Sequence, residues 1–500
     1  MKVSKQTLLT DLSFGRRVAE EEAEDLASYF VETEQWRKVI SGEIDVVFGA
    51  KGAGKSAIYS TLLQRDGELF DRGILLISAE NPRGTPAFKD LVSDPPTTEA
   101  EFVGLWKLYA LSLISSVLDE YGVQGSAARS VKTALVNEGL VPTKDAPLRT
   151  RVRLILDFVR RALTPRTVET ELKFDPQTGV PTGVGGKITL GEPSSAAKSK
   201  GAVSVDYLLQ LADQSLAENG LEVWLLFDRL DVAFAESREL ESNGLRALFK
   251  CYLDLLSASS IKLKIFLRSD IWASITAGGF REASHITRAL TIAWSNPSLL
   301  NLVVNRLLRN VDVIRYYGED PRNVSSSAQK RELFDRIVPD KVDAGKNPKS
   351  FEWILGRVQD GTGTVAPREV IHLLTEARDA QLVMLERGED DPPGTELLSR
   401  QALREALAPV SRVRLEQTIY AEYPELKERI LALEQEKTEH TLDTLAQIWT
   451  ITTEETRLIA ARLVEVGFFE PRGNKSDPRF WVPFLYRPAL NMVQGSASTD

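Results

Sequence analysis

Five short apolar runs along the chain are separated by segments in which apolar residues recur at helical spacing. The runs cover residues 44–48, 73–79, 223–227, 263–270 and 288–294. Continuous apolar runs of this length are typical of strands that are buried on both faces. Because such runs alternate with helices here, the pattern predicts an α/β fold with a parallel sheet in a three-layer core.

The first run leads directly into the sequence GAKGAGKS at residues 49–56. Gly49, Gly54, Lys55 and Ser56 match the phosphate-binding loop pattern, in the strand–loop–helix context that the pattern requires. Glycines let several backbone N–H groups point at phosphate oxygens, and the following helix adds its positive end. Lys55 would reach the β- and γ-phosphates, and the Ser56 hydroxyl would bind Mg²⁺. The alternative is an ordinary glycine turn between a strand and a helix.

The loop defines a set of candidate nucleotide-binding residues. They are Gly49, Ala50, Lys51, Gly52, Ala53, Gly54, Lys55, Ser56 and Ala57. Lys51 occupies a variable position of the pattern, where a solvated lysine is expected.

A hydrolase also needs carboxylates beside the phosphates, and the third run supplies them. It ends in Asp228, and Asp231 follows three residues later. The carboxyl ends of parallel strands meet at the edge where ligands collect, so Asp228 is predicted to hold Mg²⁺ together with Ser56. Its alternative is a surface helix cap. Asp231 is either the catalytic base or a partner in a local ion pair.

The fourth run ends in the polar residues Arg268, Ser269 and Asp270. Arg268 at this strand end would contact the γ-phosphate and is the fourth candidate catalytic residue, with Lys55, Asp228 and Asp231. It could equally form a structural ion pair with Asp228 or Asp270.

Composition narrows the class of protein. The chain has 62 basic and 71 acidic residues, a formal net charge of −9, so bulk charge does not favour nucleic acid. Cys251 is the only cysteine, which excludes a disulfide within the chain and favours a cytoplasmic location. No apolar run of membrane-spanning length stands out, and no membrane partner is expected.

The remaining patterns predict the domain organisation. Residues 1–295 are predicted to form the core, with an insertion at about 95–220. Within the insertion, alternation and turn residues at 169–201 predict an exposed hairpin followed by a flexible linker. A helical lid is predicted at 296–385, an acidic linker at 386–396, a helical connector at 397–436 and a winged helix-turn-helix at 437–492.

The C-terminal pattern is a short helix, a turn, a second helix and an alternating hairpin, as in winged helix domains. The second helix carries Arg457 and Arg462 beside three glutamates, so it is not a basic reader helix. The predicted wing has a modest basic patch, formed by Arg472, Lys475, Arg479 and Arg487. DNA contact, protein contact and intramolecular packing all stay open. The wing aromatics Trp481, Phe484 and Tyr486 are expected to be core.

These motifs together resemble the AAA+/STAND branch of P-loop ATPases. The resemblance rests on the phosphate loop, the strand end FDRLD at 227–231, the strand end LRSD at 267–270 and the segment APREVIHLLTEA at 366–377. The FDRLD stretch is similar to KAP and STAND variants, and residues 13–30 resemble the adenine-side entry of origin-recognition-type AAA+ proteins. The loop signature is similar to that of bacterial P-loop ATPases.

The resemblance implies roles for particular residues. Lys55 and Ser56 take the Walker A positions, Asp228 takes the Walker B position, and Arg268 or Ser269 takes the sensor-1 place. Arg368 takes a sensor-2-like place at the start of a lid helix, where it would contact the nucleotide; its alternative is a surface arginine. Arg281 and Arg288 lie where oligomeric relatives carry arginine fingers, with plain surface arginines as the alternative.

One departure from the family pattern bears on rate. Arg229 stands where many such ATPases carry a glutamate base, which favours slow hydrolysis or a nucleotide switch. The expected cofactors are ATP and Mg²⁺, since no guanine motif is evident and the resemblance favours adenine.

The first functional hypothesis is an ATP-binding, slowly hydrolysing switch or assembly module, in a setting of bacterial stress or phage defence by analogy. Its partners would be a second copy of the chain and another protein. The alternative is an ATP-gated DNA-binding regulator or loader that uses the winged helix. A small-molecule kinase fits less well, because it would not need the winged helix.

Overall fold

The structure is a computed structural model that describes residues 4–16, 30–80, 88, 96, 98–142, 146–163, 187–233, 237–474 and 477–498. The chain divides into two compact units. The first, here called the sheet unit, contains Glu34–Gly49 and Lys55–Thr291. The second, called the helical unit, contains Met1–Thr33, Ala50–Gly54 and Ile292–Asp500.

The secondary structure alternates strands and helices up to residue 291 and is mainly helical after it. The strands are β1 Val46–Gly49, β2 Ile74–Ser78, β3 Ile188–Thr189, β4 Val203–Ser204, β5 Glu222–Phe227, β6 Ile261–Arg268, β7 Ala289–Thr291, β8 Lys437–His440, β9 Glu470–Asn474, β10 Asp477–Trp481 and β11 Val493–Ser496. The α-helices are α1 Lys5–Asp11, α2 Glu34–Ile40, α3 Lys55–Gln64, α4 Asp66–Phe70, α5 Glu99–Glu120, α6 Ser126–Asn137, α7 Leu148–Leu163, α8 Ser195–Lys198, α9 Val205–Glu218, α10 Leu230–Ala233, α11 Arg238–Leu255, α12 Ser269–Ala277, α13 Asn296–Leu307, α14 Val311–Tyr317, α15 Ser327–Ile337, α16 Ser350–Val358, α17 Pro367–Glu386, α18 Arg400–Glu405, α19 Leu407–Arg414, α20 Lys427–Leu431, α21 Leu442–Trp449 and α22 Thr453–Glu465.

A five-stranded sheet with the order β2-β5-β6-β1-β7 forms the centre of the sheet unit, and all its strand pairs are parallel. The five strands fall on the five apolar runs, because strands covered by helices on both faces need apolar side chains on both faces. The predicted α/β class with a parallel sheet is confirmed. The order places β6 between the loop-bearing β1 and the aspartate-bearing β5.

The long helix α5 packs into the core of the sheet unit. By length and composition this helix could cross a bilayer, although no such helix was predicted from the sequence. However, 83% of its most apolar stretch is buried inside the protein. Its indole and phenol groups bond inside the unit: the Trp106 N–H donates to the Gly244 carbonyl, and the Tyr109 hydroxyl donates to the Ala79 carbonyl. A buried core helix passes the same test as a membrane span, so α5 is assigned to the core.

The described part of the predicted insertion differs from expectation. The hairpin predicted at residues 169–201 falls largely on residues 164–186, which lie outside the described residues. From residue 187 onward, β3 and β4 pair in parallel, and the expected Ser/Ala/Lys linker includes the short helix α8. β3 therefore has a parallel partner that lies beyond the predicted hairpin, and the hairpin itself stays a prediction.

In the helical unit, α13 to α19 pack around one core, and the N-terminal helix α1 packs against α17. The segment 386–396, predicted as a linker, is held in place within this unit. The Lys5 ammonium donates to the carbonyls of Pro392 and Gly394, and the Tyr317 hydroxyl donates to the Thr395 carbonyl. The C-terminal half of the predicted linker is therefore bound to the rest of the helical unit.

Residues 437–496 form the winged helix domain, with sheet order β11-β8-β10-β9. Thr452 and Glu455 form a capping box that starts α22, as the Thr–x–x–Glu spacing indicates. Thr450, with φ of 55°, makes the turn between α21 and α22. β9 and β10 pair antiparallel as the wing. The core, helices and winged helix together match the predicted fold class.

Candidate functional site

The phosphate loop follows β1 and leads into α3, which starts at Lys55. Gly52 and Gly54 have φ of 83° and 102°, a region that side chains rarely adopt. These angles let the loop turn its amides inward before the helix begins. The local conformation is therefore the one that the glycine pattern predicts for phosphate binding.

The side chain of Lys55, the first residue of α3, reaches back to the end of β1. Its ammonium donates to the Gly49 carbonyl at 3.0 Å. Burial, the largest influence, lowers the pKa of Lys55, while the charges of Asp228 and Asp231 act in the opposite direction. The structure thus places Lys55 and both predicted aspartates in one electrostatic cluster of the sheet unit.

Asp228 lies directly after β5 and is buried. The pKa of Asp228 is raised to about 6, mainly by burial and also by the nearby Asp231 charge, while the hydrogen bond from the Arg229 amide, the Lys55 charge and the Ser56 hydroxyl act in the opposite direction. Its contact with Ser56 joins the two residues predicted to bind Mg²⁺. A buried, partly compensated carboxylate is the environment that a cation would stabilise.

Arg229 has a left-handed backbone, with φ of 59°. A non-glycine residue in this region costs on the order of 1 kcal/mol or more, and such strain concentrates at functional sites. Arg229, at the position where the family pattern has a glutamate, therefore also departs sharply from strand geometry.

Arg268 ends β6, opposite Gly49 in the register with β1. Its guanidinium donates to Asp270 at 2.7 and 3.1 Å and lies 3.5 Å from Asp231. From the sequence, Arg268 was predicted to pair with Asp228 or Asp270 if its role is structural. The pair with Asp270 is present, and the second carboxylate beside Arg268 is that of Asp231. Arg268 and Asp231 are thus partners at the carboxyl edge of the sheet.

Glu241, in the first turn of α11, was not singled out from the sequence. Burial, followed by the charge of Asp231, raises the pKa of Glu241 to about 7, and Arg268 acts in the opposite direction. A carboxyl group that titrates near neutral pH beside Asp231 is suited to accept a proton from water. No motif could have revealed it, because it lies ten residues beyond Asp231 in an ordinary amphipathic helix.

Three successive loop residues contact other parts of the helical unit. The Lys51 ammonium lies 2.6 Å from the Glu422 carboxylate and donates to the Gln417 carbonyl at 3.0 Å. The Ala53 carbonyl accepts a hydrogen bond of 2.8 Å from the Trp294 indole. Lys51 was expected to be solvated, and that expectation is wrong because the connector supplies a carboxylate beside it.

The third contact joins Gly52 to the lid arginine Arg368. A methyl group added at Gly52 would lie 3.2 Å from the Arg368 Cβ and 3.5 Å from its Nε. That Nε is buried and has no hydrogen-bond partner among the described residues. An unsatisfied buried guanidinium N–H is costly, and a phosphate oxygen would be a strong acceptor for it.

Next to Arg368, Glu369 begins a buried ionic network. The Arg414 guanidinium at the end of α19 donates to Glu369 at 3.0 Å and lies 3.5 Å from Asp360. Burial lowers the pKa of Arg414, but Glu369, Tyr486 and Asp360 more than reverse this, so its pKa is raised. Tyr486 belongs to the winged helix domain, so the network joins the lid helix, the connector and that domain.

The two arginine-finger candidates lie in different surroundings. Arg288 is held by the buried Asp45, with its Nε 2.6 Å from the carboxylate. Arg281 is exposed on the surface of the sheet unit. The contacts of Arg288 fit a structural role, whereas Arg281 is sterically available to another molecule.

Most of the wing's basic patch is engaged within the domain. Arg472 pairs with Glu470 at 2.9 Å and Arg479 pairs with Glu439 at 3.2 Å. Arg487 is buried, and its guanidinium lies 4.3 and 4.0 Å from the ring centroids of Trp481 and Phe484. Lys475 lies outside the described residues.

The aromatic residues of the wing are only partly core. Tyr486 is fully buried, as expected, whereas Trp481 and Phe484 are half-buried and pack edge to face against each other. The exposed face of α22 carries Leu458, which is 70% exposed, beside Arg457 and acidic residues. An exposed leucine on a mixed-charge helix is unlike a phosphate-contacting surface.

The oxygen donors of the site fit Mg²⁺ in the way that phosphate sites use it. Within the residues that the structure describes, no group of three or more His, Cys, Asp or Glu could hold a metal by itself. Mg²⁺ is commonly held by one or two protein oxygens together with substrate phosphates. Ser56 and Asp228 would provide those oxygens if the ion were bound here.

The chain has the fold of a P-loop NTPase core with helical and winged helix parts. No protein-family model matches the sequence, and no curated protein matches it. Among solved structures, it is similar to the ORC2 protein of Aeropyrum pernix in ADPNP–ADP complexes, with 12% identity, 96% of this chain and 95% of that chain covered, and a TM-score of 0.34. It is also similar to Cdc6p of Pyrobaculum aerophilum, with 10% identity, 93% and 96% covered, and a TM-score of 0.29. Likeness of this degree supports no inference about function.

Proposed function

We propose that the chain binds ATP with Mg²⁺ on the loop from Gly49 to Ala57 and hydrolyses it slowly, as an AAA+/STAND-like nucleotide switch. The observation that carries the proposal is the loop itself. Gly52 and Gly54 adopt positive φ, α3 starts at Lys55, and Ser56 lies within hydrogen-bond reach of the strand-end Asp228. This arrangement supplies amide donors, an ammonium and two Mg²⁺ ligands for a triphosphate.

Each residue of the proposed site has a defined task. The loop amides and Lys55 would bind phosphate oxygens, and Arg368 would add its unsatisfied Nε–H. Mg²⁺, when bound by Ser56 and Asp228, supplies charge neutralisation for the leaving phosphates. Arg268 would orient Asp231, its partner at 3.5 Å, beside the attacking water.

Slow turnover follows from the composition of the catalytic edge. Arg229 replaces the usual glutamate base, which leaves Asp231 and Glu241 to accept the proton. Asp231 is already paired with Arg268, and Glu241 is largely protonated below its pKa of about 7. A base that is paired or protonated for much of the time lowers the rate, which suits a switch that stays loaded.

The contacts of the wing favour a protein partner for the winged helix over DNA. The described arginines of the wing are paired or buried, and α22 presents Leu458 and the exposed Arg457 with acidic neighbours. DNA binding depends on cations that are free to replace counterions. We therefore propose that nucleotide state controls a protein partner or assembly with further copies of the chain, with Arg281 as the candidate residue for contact with a neighbouring copy.

Equilibrium titration of the full chain with a fluorescent ATP analogue and Mg²⁺ tests the site. Lys55→Ala is expected to weaken binding at least tenfold, because the main cation for the phosphates is lost. Lys38→Ala is the matched control, since Lys38 is a half-buried lysine in α2 of the same unit that forms only a 3.8 Å pair with Glu43. Unchanged affinity in Lys55→Ala would contradict the proposal.

Phosphate release by the same proteins measures turnover, with Asp231→Asn and Glu241→Gln to identify the base. Loss of turnover with retained binding in one of them would assign that role. Anisotropy with labelled duplex DNA at two salt concentrations separates the alternatives. A steep fall of affinity with salt, together with DNA-stimulated hydrolysis, would favour the DNA loader instead.

A further inference from the structure

The phosphate loop carries an ion pair that its nucleotide-binding pattern does not require. Lys51 occupies a free position of the pattern, yet its ammonium lies 2.6 Å from the Glu422 carboxylate. The two side chains are only 28% and 25% exposed, so solvent screens the pair less than a surface pair. A second bond to the Gln417 carbonyl, at 3.0 Å, fixes the position of the ammonium.

The connector end of this ion pair is firmly anchored. Gln417 lies within a π-helical turn, Leu415–Tyr420, which directly follows Arg414. Single π turns are rare and recur at functional positions, where they redirect a helix. Since Arg414 is held by Glu369 and Asp360 in a buried network, movement of the connector near Glu422 would have to be accommodated by that network.

Lys51 is also next to the tightest part of the loop. Gly52 packs against Arg368, and the Ala53 carbonyl is bound by Trp294. A lysine at this position could reach a bound phosphate only by leaving Glu422.

We propose that Glu422 is a positioning residue of the nucleotide site, which holds Lys51 away from the phosphates and makes nucleotide compete for it. The inference rests on the proposed function, because it concerns the same loop. Nucleotide binding would release the connector from the loop. By linkage, a partner that pulls the connector away would tighten nucleotide binding by the same factor.

The test measures the Kd of the full chain for the fluorescent ATP analogue in the presence of Mg²⁺. Glu422→Gln is expected to bind about five- to tenfold more tightly, which lies within the usual range of coupling between sites. Glu428→Gln is the matched control, because Glu428 is an exposed carboxylate of the same connector.

A double-variant cycle decides whether Glu422 acts through Lys51. In a Lys51→Gln chain, the further change Glu422→Gln is expected to alter the Kd less than twofold. Amide hydrogen exchange of residues 415–422 is a second measurement. If the Lys51–Glu422 pair were purely structural, nucleotide addition would not change this exchange. Exchange there is expected to rise on nucleotide addition in the unaltered chain and to stay constant in Glu422→Gln.

The outcomes separate the inference from the function beneath it. If Lys55→Ala abolishes binding while Glu422→Gln changes it less than twofold or weakens it, the inference fails and the proposed function stands. An effect of Glu422→Gln that persists in full in the Lys51→Gln chain also overturns it. If the unaltered chain binds no nucleotide, or Lys55→Ala binds normally, both fail together.

Discussion

Replacing Arg414 with methionine is expected to destabilise the helical unit strongly. The side chain of Arg414 is 9% exposed, and those of its partners Glu369 and Asp360 are 6% and 10% exposed. The substitution leaves two buried carboxylates without their shared cation. Breaking one buried pair in this way costs about 3–5 kcal/mol, because an uncompensated charge stays out of water.

The size of the destabilisation depends on how easily Asp360 and Glu369 can take up a proton once the Arg414 charge is gone. Burial already raises the pKa of Asp360, with hydrogen bonds from Thr362 and Thr364 and the charge of Arg414 acting against it. Without Arg414, protonation of Asp360 becomes easier and limits the cost to about 4 kcal/mol. With a denaturant slope of about 3 kcal/mol/M for a unit of this size, the urea midpoint falls by about 1.3 M.

Urea unfolding, followed by tryptophan fluorescence at pH 7 and pH 5, measures the effect. The destabilisation is expected to be smaller at pH 5, since more of the unpaired acid is then neutral. Arg412→Met on the same helix is the control, because Arg412 is exposed. Adding Glu369→Gln to Arg414→Met should restore part of the loss. A midpoint for Arg414→Met within 0.3 M of the unaltered chain, against the expected shift of about 1.3 M, would refute the reasoning.

Three further predictions concern other buried groups. Burial lowers the pKa of His440 to about 4, so the unfolded chain takes up a proton first; stability of the helical unit should fall as the pH drops from about 6.5 towards 4, and His440→Phe should flatten that slope in urea titrations. Burial raises the pKa of the Cys251 thiol to about 12, so a thiol reagent should label Cys251 only after the sheet unit unfolds; labelling of the native chain within minutes would contradict this. Gly361→Ala would set a methyl group 2.2 Å from the Phe469 carbonyl oxygen, so its thermal midpoint should fall by several degrees, while Gly356→Ala, with open space around it, should change little.

The sheet and the phosphate loop were readable from the sequence because their physics is local. A strand buried on both faces must be apolar along its whole length, and a loop that turns amides towards phosphate must place glycine at fixed positions. The capping box of Thr452 and Glu455 was readable for the same reason. Each signal is contained within about ten residues, so no knowledge of distant contacts was needed.

The ionic contacts around the site could not be predicted, since they join residues far apart in the chain. No residue near Lys51 in the sequence indicates a contact with Glu422. Arg414 binds Glu369, which lies 45 positions earlier in the chain. The same applies to Glu241, whose altered pKa arises from burial and from Asp231 and Arg268 in three dimensions. Short segments report which elements form, whereas the charges that meet at a site depend on how those elements pack.

The strand order also constrains how the chain is made. β1 pairs with β6 and β7, and its Val46 lies opposite Ile265, a residue about 220 positions later. At a synthesis rate of about 5–20 residues per second, the strand that carries the phosphate loop emerges from the ribosome on the order of 10 to 40 s before its neighbours exist. During that interval its apolar faces are uncovered, so early closure of the site is impossible and chaperone protection of the nascent chain matters.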